Sequence, residues 1–419
     1  MTGIVLSIGC ASEPVPPTMQ EQIRNIERSI NDGGYTTPSV HEIDTLNDIW
    51  SHDGHSIEVA LVAPKEAGIY PLVVYLPGLG EHADGGRLWR ENWAKAGYVV
   101  FSIQPQAVAQ ALAELQPAID ANLDDEPPSD LFDQDAAVDD EYDDRRQGKR
   151  AMSKSGRNSE LRYLGREYFS SSALTARIAD VLWCYQQFKQ RARSGQGGYA
   201  KADPAGAIVA GYDIGAQTAA ALIGEKAGIE LPFPAEWLPQ AAILISPSVD
   251  PANGVGADRF QALAMPVLTV TSERDNDPYA ITSPPLRSAI WVHAPSGGKY
   301  LLMLKNADHR LLSGGIWFSR PRSISMEQEF DAAEMSADAR QFRAGGGRSR
   351  GGPPGGVFGG RPRGPDGPID DPDYRQIAAI FSVSNAFLDS VGKVDNFAQL
   401  WLNESAKAWL KTTADLKIK

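Results

Sequence analysis

Residues 208–225 read IVAGYDIGAQTAAALIGE. A β-branched, apolar run is followed by a turn of small residues and then by an alanine-rich stretch that favours helix. The centre, Gly211-Tyr212-Asp213-Ile214-Gly215, has the G-x-nucleophile-x-G spacing of a sharp strand-to-helix turn. Such a turn has room only for small residues on either side of its apex, and Gly211, Gly215 and Ala216 meet that demand. It lifts one side chain to the carboxyl end of the strands, where ligands bind in open α/β sheets. The free N–H groups of the following helix point to the same place. The residue at the apex, usually Ser, is Asp213. Two readings stay open. Asp213 is a nucleophile of another kind, or it is a helix N-cap, worth about 1 kcal/mol and favoured by the helix dipole.

Outward from this turn, apolar runs of strand length fall at Ile57–Val62, Leu72–Leu76, Tyr98–Ile103, Ala207–Ala210, Ala241–Ile245, Val267–Thr271 and Tyr300–Leu304. Runs without alternation suit strands covered on both faces. Helical patterns lie between several of them; Leu174, Ile178, Val181, Leu182, Tyr185 and Phe188 share one face of a 3.6-residue period. The expected class is α/β, with a mostly parallel central sheet and helices on both faces. The first two runs, separated by Ala67-Gly68, predict an antiparallel hairpin at one edge. Residues 1–36 read as a leader, tether and helix, 37–410 as a single domain, and 411–419 as a tail. Two insertions interrupt that domain: an acidic one at 105–168, helical over Ala107–Leu115, and a Gly/Arg/Pro-rich one at 319–373 that is expected to be disordered. Closing helices are read around Ile377, Ile380, Phe381, Phe387 and Leu388, then Phe397, Leu400, Trp401, Ala408 and Trp409.

Three further pieces carry chemistry. In LVVYLPGLGEHADGG (72–86) a strand ends in a glycine-bearing loop. The Leu79 N–H of that loop, with the Ile214 N–H, would form an oxyanion hole, of a kind often worth ~3 kcal/mol per donor. In PVLTVTSERDNDPY (266–279) a strand ends in a polar turn with Asp275 and Asp277. Asp275, the first carboxylate past the strand, is preferred as the acid that orients a histidine; Asp277 is the alternative. In KYLLMLKNADHRLLSG (299–314), His309 follows a strand late in the chain. The order nucleophile, acid, histidine is the order of the α/β-hydrolase triad.

With these pieces in place, the chain resembles the α/β-hydrolase superfamily, and within it the bacterial dienelactone-hydrolase-like and platelet-activating-factor-acetylhydrolase-like proteins. The resemblance covers roughly residues 48–105, 171–315 and 374–410. It is carried by LPGLGEH and WAKAGYVVFSIQ, by GYDIGAQT where the family has GHSFGAHT, by TSERD for TGTxD, by NADH for GADH, and by FLDSVGKVDNFAQLWL near the end. It implies an α/β-hydrolase fold, a hydrolase of small organic substrates of the ester or lactone class, and catalytic roles for Asp213, Asp275 and His309. The chain departs from the family at the nucleophile and at Pro77, where the family usually has His.

An aspartate needs no base to activate it, because its reference pKa is ~4. It can attack an sp³ carbon and form an ester with the enzyme, which His309 and a water would then hydrolyse. Hydrolases of this kind act on carbon–halogen bonds or epoxides, usually with Trp after the nucleophile. Here that residue is Ile214, and Trp89, Trp93 and Trp317 are the candidate substitutes. No metal or organic cofactor is expected. The alternative function is a catalytically inactive binding protein that uses the same pocket.

The net charge of −13 argues against general nucleic-acid binding and against adsorption to anionic membranes. RNA contact through the tract GGGRSRGGPPGGVFGGRPRGP is the weaker reading of that segment. Much of the acid lies in residues 120–144, read as a solvated loop. Of the two cysteines, Cys184 is expected in the core. Cys10 follows a short apolar run and precedes a Ser/Pro/Glu tether, as in a bacterial lipoprotein signal, although no basic region precedes it. A lipid there would place the protein in the cell envelope and supply its sole membrane contact; otherwise the expectation is a frayed terminus and a cytoplasmic protein.

Overall fold

A computed structural model of the chain describes residues 18–113, 159–226, 237, 239–315 and 373–419. Cys10, Trp317, the acidic run 120–144 and the Arg/Gly tract lie outside the described residues. The chain divides into two units. One comprises Met1–Arg24 and Ile316–Asp370. Its described residues, 18–24, open helix α1 (Met19–Asn31), where Thr18 and Glu21 cap one another: the Thr18 N–H donates to Glu21 Oε2, and the Glu21 N–H donates to Thr18 Oγ1. The other unit, Asn25–Gly315 with Asp371–Lys419, contains the sheet and every candidate site residue.

Nine strands form that sheet: β1 (Ile43–His52), β2 (His55–Pro64), β3 (Tyr70–Leu76), β4 (Val99–Pro105), β5 (Ala202–Tyr212), β6 (Ala241–Ile245), β7 (Val267–Arg274), β8 (Lys299–Asp308) and β9 (Ala414–Ile418). Their order is β1-β2-β4-β3-β5-β6-β7-β8-β9. From β4 through β8 all neighbours are parallel, while β1–β2, β2–β4 and β8–β9 are antiparallel. The chain is therefore an α/β protein with a mostly parallel sheet, as its alternating pattern predicts.

Both faces of the central strands are covered. Leu72, Val74 and Leu76 belong to the core under α3 (Ser171–Arg193) and α4 (Ile214–Leu222), together with Leu174, Ile178, Val181 and Phe188. Tyr75, on the opposite face, meets Trp93 of α2 (Arg87–Lys95). Further along this second layer, Tyr300 meets Phe387 of α5 (Asp373–Gly392). Cys184 is fully buried in the first core, as expected. Asp389 of α5 is a buried junction: it accepts hydrogen bonds from the hydroxyls of Tyr35 and Tyr98 (2.8 Å each) and pairs with Lys393 at 2.8 Å.

Several expectations are corrected. The edge hairpin is β1–β2 around Asp53-Gly54, not β2–β3; β2 and β3 are separated by β4. β1 leaves no apolar signal in the sequence because it is an exposed edge strand, with outward residues such as Asp44, Asn47 and Asp48. Residues 411–419, read as a tail, contain β9, whose N–H and C=O groups pair along β8. The helix expected over Ala107–Leu115 covers only Gln106–Ala109 and passes into turns up to residue 113. Among the closing helices, Phe397 and Leu400 are exposed, whereas Trp401 and Leu402 are buried.

Candidate active site

The apex residue Asp213 joins β5 to α4 with φ +51° and ψ −113°. This left-handed backbone is unusual for a residue other than glycine, and such strain concentrates at functional sites. Sterics fix the glycines around it. A Cβ at Gly215 would lie 1.9 Å from the Leu76 carbonyl oxygen, and one at Gly211 would lie 2.4 Å from the backbone of Gly215. The Asp213 N–H donates to the Ile245 carbonyl at the end of β6. Its carboxylate does not cap α4; it accepts the Ser248 hydroxyl at 2.9 Å. Asp213 therefore occupies the N-cap position of α4 without a side-chain cap.

The ends of β6, β7 and β8 supply the partners. His309 starts a short helix directly after β8, and Asp308 caps that helix through the Leu311 N–H. The Tyr212 hydroxyl holds the His309 carbonyl at 2.8 Å. His309 Nδ1 lies 2.8 Å from Asp275 Oδ1, and Nε2 lies 4.0 Å from Asp213 Oδ1. An ionised carboxylate can only accept, so Nδ1 donates to Asp275, and Nε2 is the nitrogen turned toward Asp213. Asp277 plays a different part. Its two oxygens accept the N–H groups of Tyr279, Ile281 and Thr282, which makes it a turn former. The three expected residues Asp213, Asp275 and His309 are thus brought together, and Asp275 is the carboxylate at the histidine.

Four residues at this site escape a reading of the sequence. Ser246 has φ +50° and donates to Asp275 Oδ1 at 2.9 Å, with its hydroxyl 3.0 Å from His309 Nδ1. Ser248 holds Asp213. Arg287, 0 % exposed, pairs with Asp275 Oδ2 at 3.2 Å and donates to the Ser246 carbonyl at 2.7 Å. Glu81, in the loop after β3, accepts the Gly78 N–H at 2.8 Å. Ser246, Ser248 and Arg287 carry no sequence signal, because each acts across strand ends that are distant in the chain.

Electrostatics separate the carboxylates. Burial raises Asp213 above the ordinary aspartate value, against the opposing charges of His309 and Arg287 and the Ser248 hydrogen bond. Burial also acts to raise Asp275, but the His309 hydrogen bond, the Arg287 charge and the Thr271 hydroxyl outweigh it and hold this carboxyl low. Glu81 is pushed up to about 7, first by burial and then by the charge of Asp213, with the Gly78 N–H acting the other way.

Around the site, Leu79 and Ile214 share a small apolar cluster with Val108, Phe169 and Tyr279, against which Leu112, Leu161 and Tyr168 pack. The described ends of the acidic insertion thus border the elbow. Asp213 is 1 % exposed, and the side chain of His309 is 15 % exposed. The cavity against Ile214 and Gly215 measures about 10 Å³. A larger one, about 370 Å³, lies between α1 and the closing helices and holds none of these residues. The indole N–H groups of Trp89 and Trp93 are committed to the Leu312 carbonyl and the Ser384 hydroxyl, so neither is free to hold a halide. No protein-family model matches the chain, and no curated protein matches it.

Proposed function

We propose that the chain is an α/β-hydrolase-fold hydrolase that cleaves a small organic substrate through an ester formed on Asp213. The sheet order and the triad order along the chain support this reading. The observation that carries it is the strained Asp213 with His309 Nε2 4.0 Å away and Asp275 behind the imidazole. In the first step a carboxylate oxygen of Asp213 attacks an sp³ carbon, a C–O bond forms, and the bond to the leaving group breaks. In the second step His309 Nε2 takes a proton from water. The hydroxide attacks the ester carbonyl of Asp213, the Leu79 and Ile214 N–H groups hold the oxyanion, and the product alcohol leaves with the proton from His309. Glu81, pushed up to about 7, keeps a proton near neutrality that an oxygen leaving group would need. With the indoles of the candidates Trp89 and Trp93 committed elsewhere, this favours C–O substrates such as epoxides and lactones over alkyl halides.

The second reading, a catalytically inactive binding protein, is favoured by the sealed Asp213. One experiment separates the two. The His309→Gln variant is incubated with epoxides, lactones, aryl esters and haloalkanes, and the Asp213 peptide is examined by mass spectrometry. A hydrolase of the proposed kind accumulates an alkyl adduct on Asp213, and the active chain in H₂¹⁸O incorporates ¹⁸O into that carboxylate. No adduct and no turnover with any class supports the binding protein. Turnover that survives Asp213→Ala removes Asp213 as the nucleophile.

A further inference from the structure

We propose that His52, His55 and Asp180 form a binding site for one divalent transition-metal ion of the zinc class, separate from the Asp213 site. β1 and β2 meet in a two-residue turn, Asp53-Gly54, with φ of +46° and +82°. The register places His52 directly opposite His55 as the last pair of the hairpin, so both imidazoles lie on one face. Asp180 reaches them from the middle of α3. Its Oδ1 is 3.0 Å from His52 Nδ1 and 2.8 Å from His55 Nε2. The three donor atoms all lie within 4.8 Å of one another.

The surroundings point to a cation. Asp180 is 7 % exposed and sits on the buried face of α3 among Ile178, Val181 and Cys184. Among the described residues its ion pairs are to the two histidines alone. A buried carboxylate facing two imidazoles offers two nitrogens and one oxygen to a shared point, the donor set of zinc, cobalt or nickel rather than of calcium or magnesium. His52 is oriented for ligation: it stacks on Trp183 with ring centroids 4.5 Å apart, and its other nitrogen, Nε2, faces Asp53 Oδ2 at 3.6 Å. A carboxylate behind a ligating imidazole fixes the ring and makes the ligand more basic. His55 is half-exposed, which leaves an approach for the ion and room for water at the remaining coordination positions. The bound ion would clip the edge hairpin to α3. β4 and β3 lie between this hairpin and β5, which carries Asp213.

The test uses the full chain after treatment with a chelator, titrated with Co²⁺ and then Zn²⁺. One equivalent of Co²⁺ is expected to give visible d–d bands that Zn²⁺ abolishes, and Zn²⁺ is expected to raise the melting temperature. His55→Ala, at a half-exposed position that should fold normally, is expected to bind at least tenfold more weakly and to lose both signals. His309→Gln and His82→Ala are expected to keep them, which separates this site from the Asp213 site and from the neighbouring loop. Absence of the cobalt bands in the unmodified chain would overturn the proposal and leave a hydrogen-bonded clip; so would bands and a thermal shift that persist in His55→Ala.

Discussion

As the proposed nucleophile, Asp213 would meet two opposed demands. Its carboxylate must be charged to attack, yet burial raises its pKa. The folded chain therefore holds this proton more tightly than the unfolded chain, so the stability this group contributes falls as pH rises past the ordinary carboxylate range of about 4. Asp213→Asn, which can still accept the Ser248 hydroxyl, is expected to raise stability at pH 7 by about 1–3 kcal/mol and to abolish turnover. Thermal melts beside activity assays check both halves. Glu81 follows the same sign: its contribution is full below about 4.5 and is lost as pH rises toward about 7. Glu81→Gln is expected to flatten stability between those values, and to lower turnover of C–O substrates by about 10²–10⁴. Asp275 has the opposite sign, since its lowered pKa stabilises the fold above the ordinary value and is lost in acid. Arg287→Met removes its buried partner and is expected to cost about 3–5 kcal/mol and to move acid unfolding to higher pH, measured by urea titration across pH. The sequence revealed Asp213, Asp275 and His309 because each follows a strand in a telling order. Arg287 was hidden because an arginine in a proline-led turn looks the same whether it is solvated or fully buried.

At the scale of elements, the elbow depends on backbone contact. Gly215→Ala would press a methyl into the Leu76 carbonyl, so it is expected to cost more than about 3 kcal/mol or to prevent folding. Gly254→Ala meets nothing within 4 Å, although φ +79° strains it, and should be far milder. Soluble yield and melting temperature of the two variants make the comparison. The loop cluster over the elbow yields another expectation. Leu112 packs against Gly80 beside Leu79, so Leu112→Ala should open the approach to Asp213 and speed adduct formation in the His309→Gln background. The central strands were legible because burial on both faces writes an unbroken apolar run. The edge strands β1 and β9 were not, because one side of each meets solvent and their residues are chosen for water as much as for the sheet. The misplaced hairpin has the same origin: without β1, the nearest run to β2 in the chain was β3.

For the molecule as a whole, chain distance and spatial distance part company. The Tyr35–Asp389 hydrogen bond joins positions 354 residues apart. Burial and the Asp389 hydrogen bond hold the Tyr35 phenol well above its usual value, so this link persists across the physiological range. Tyr35→Phe is expected to cost about 1–3 kcal/mol while the Asp275–His309 contact stays intact, as read from denaturant unfolding beside activity. Loop-closure entropy must be met before such a distant contact gains anything, and topologies rich in distant contacts fold slowly. The leading segment around Tyr35 is therefore expected to dock after the sheet has formed. A refolding time course should show the strand ends at Asp213, Asp275 and His309 regaining order ahead of a slower final phase in which Tyr35 leaves water.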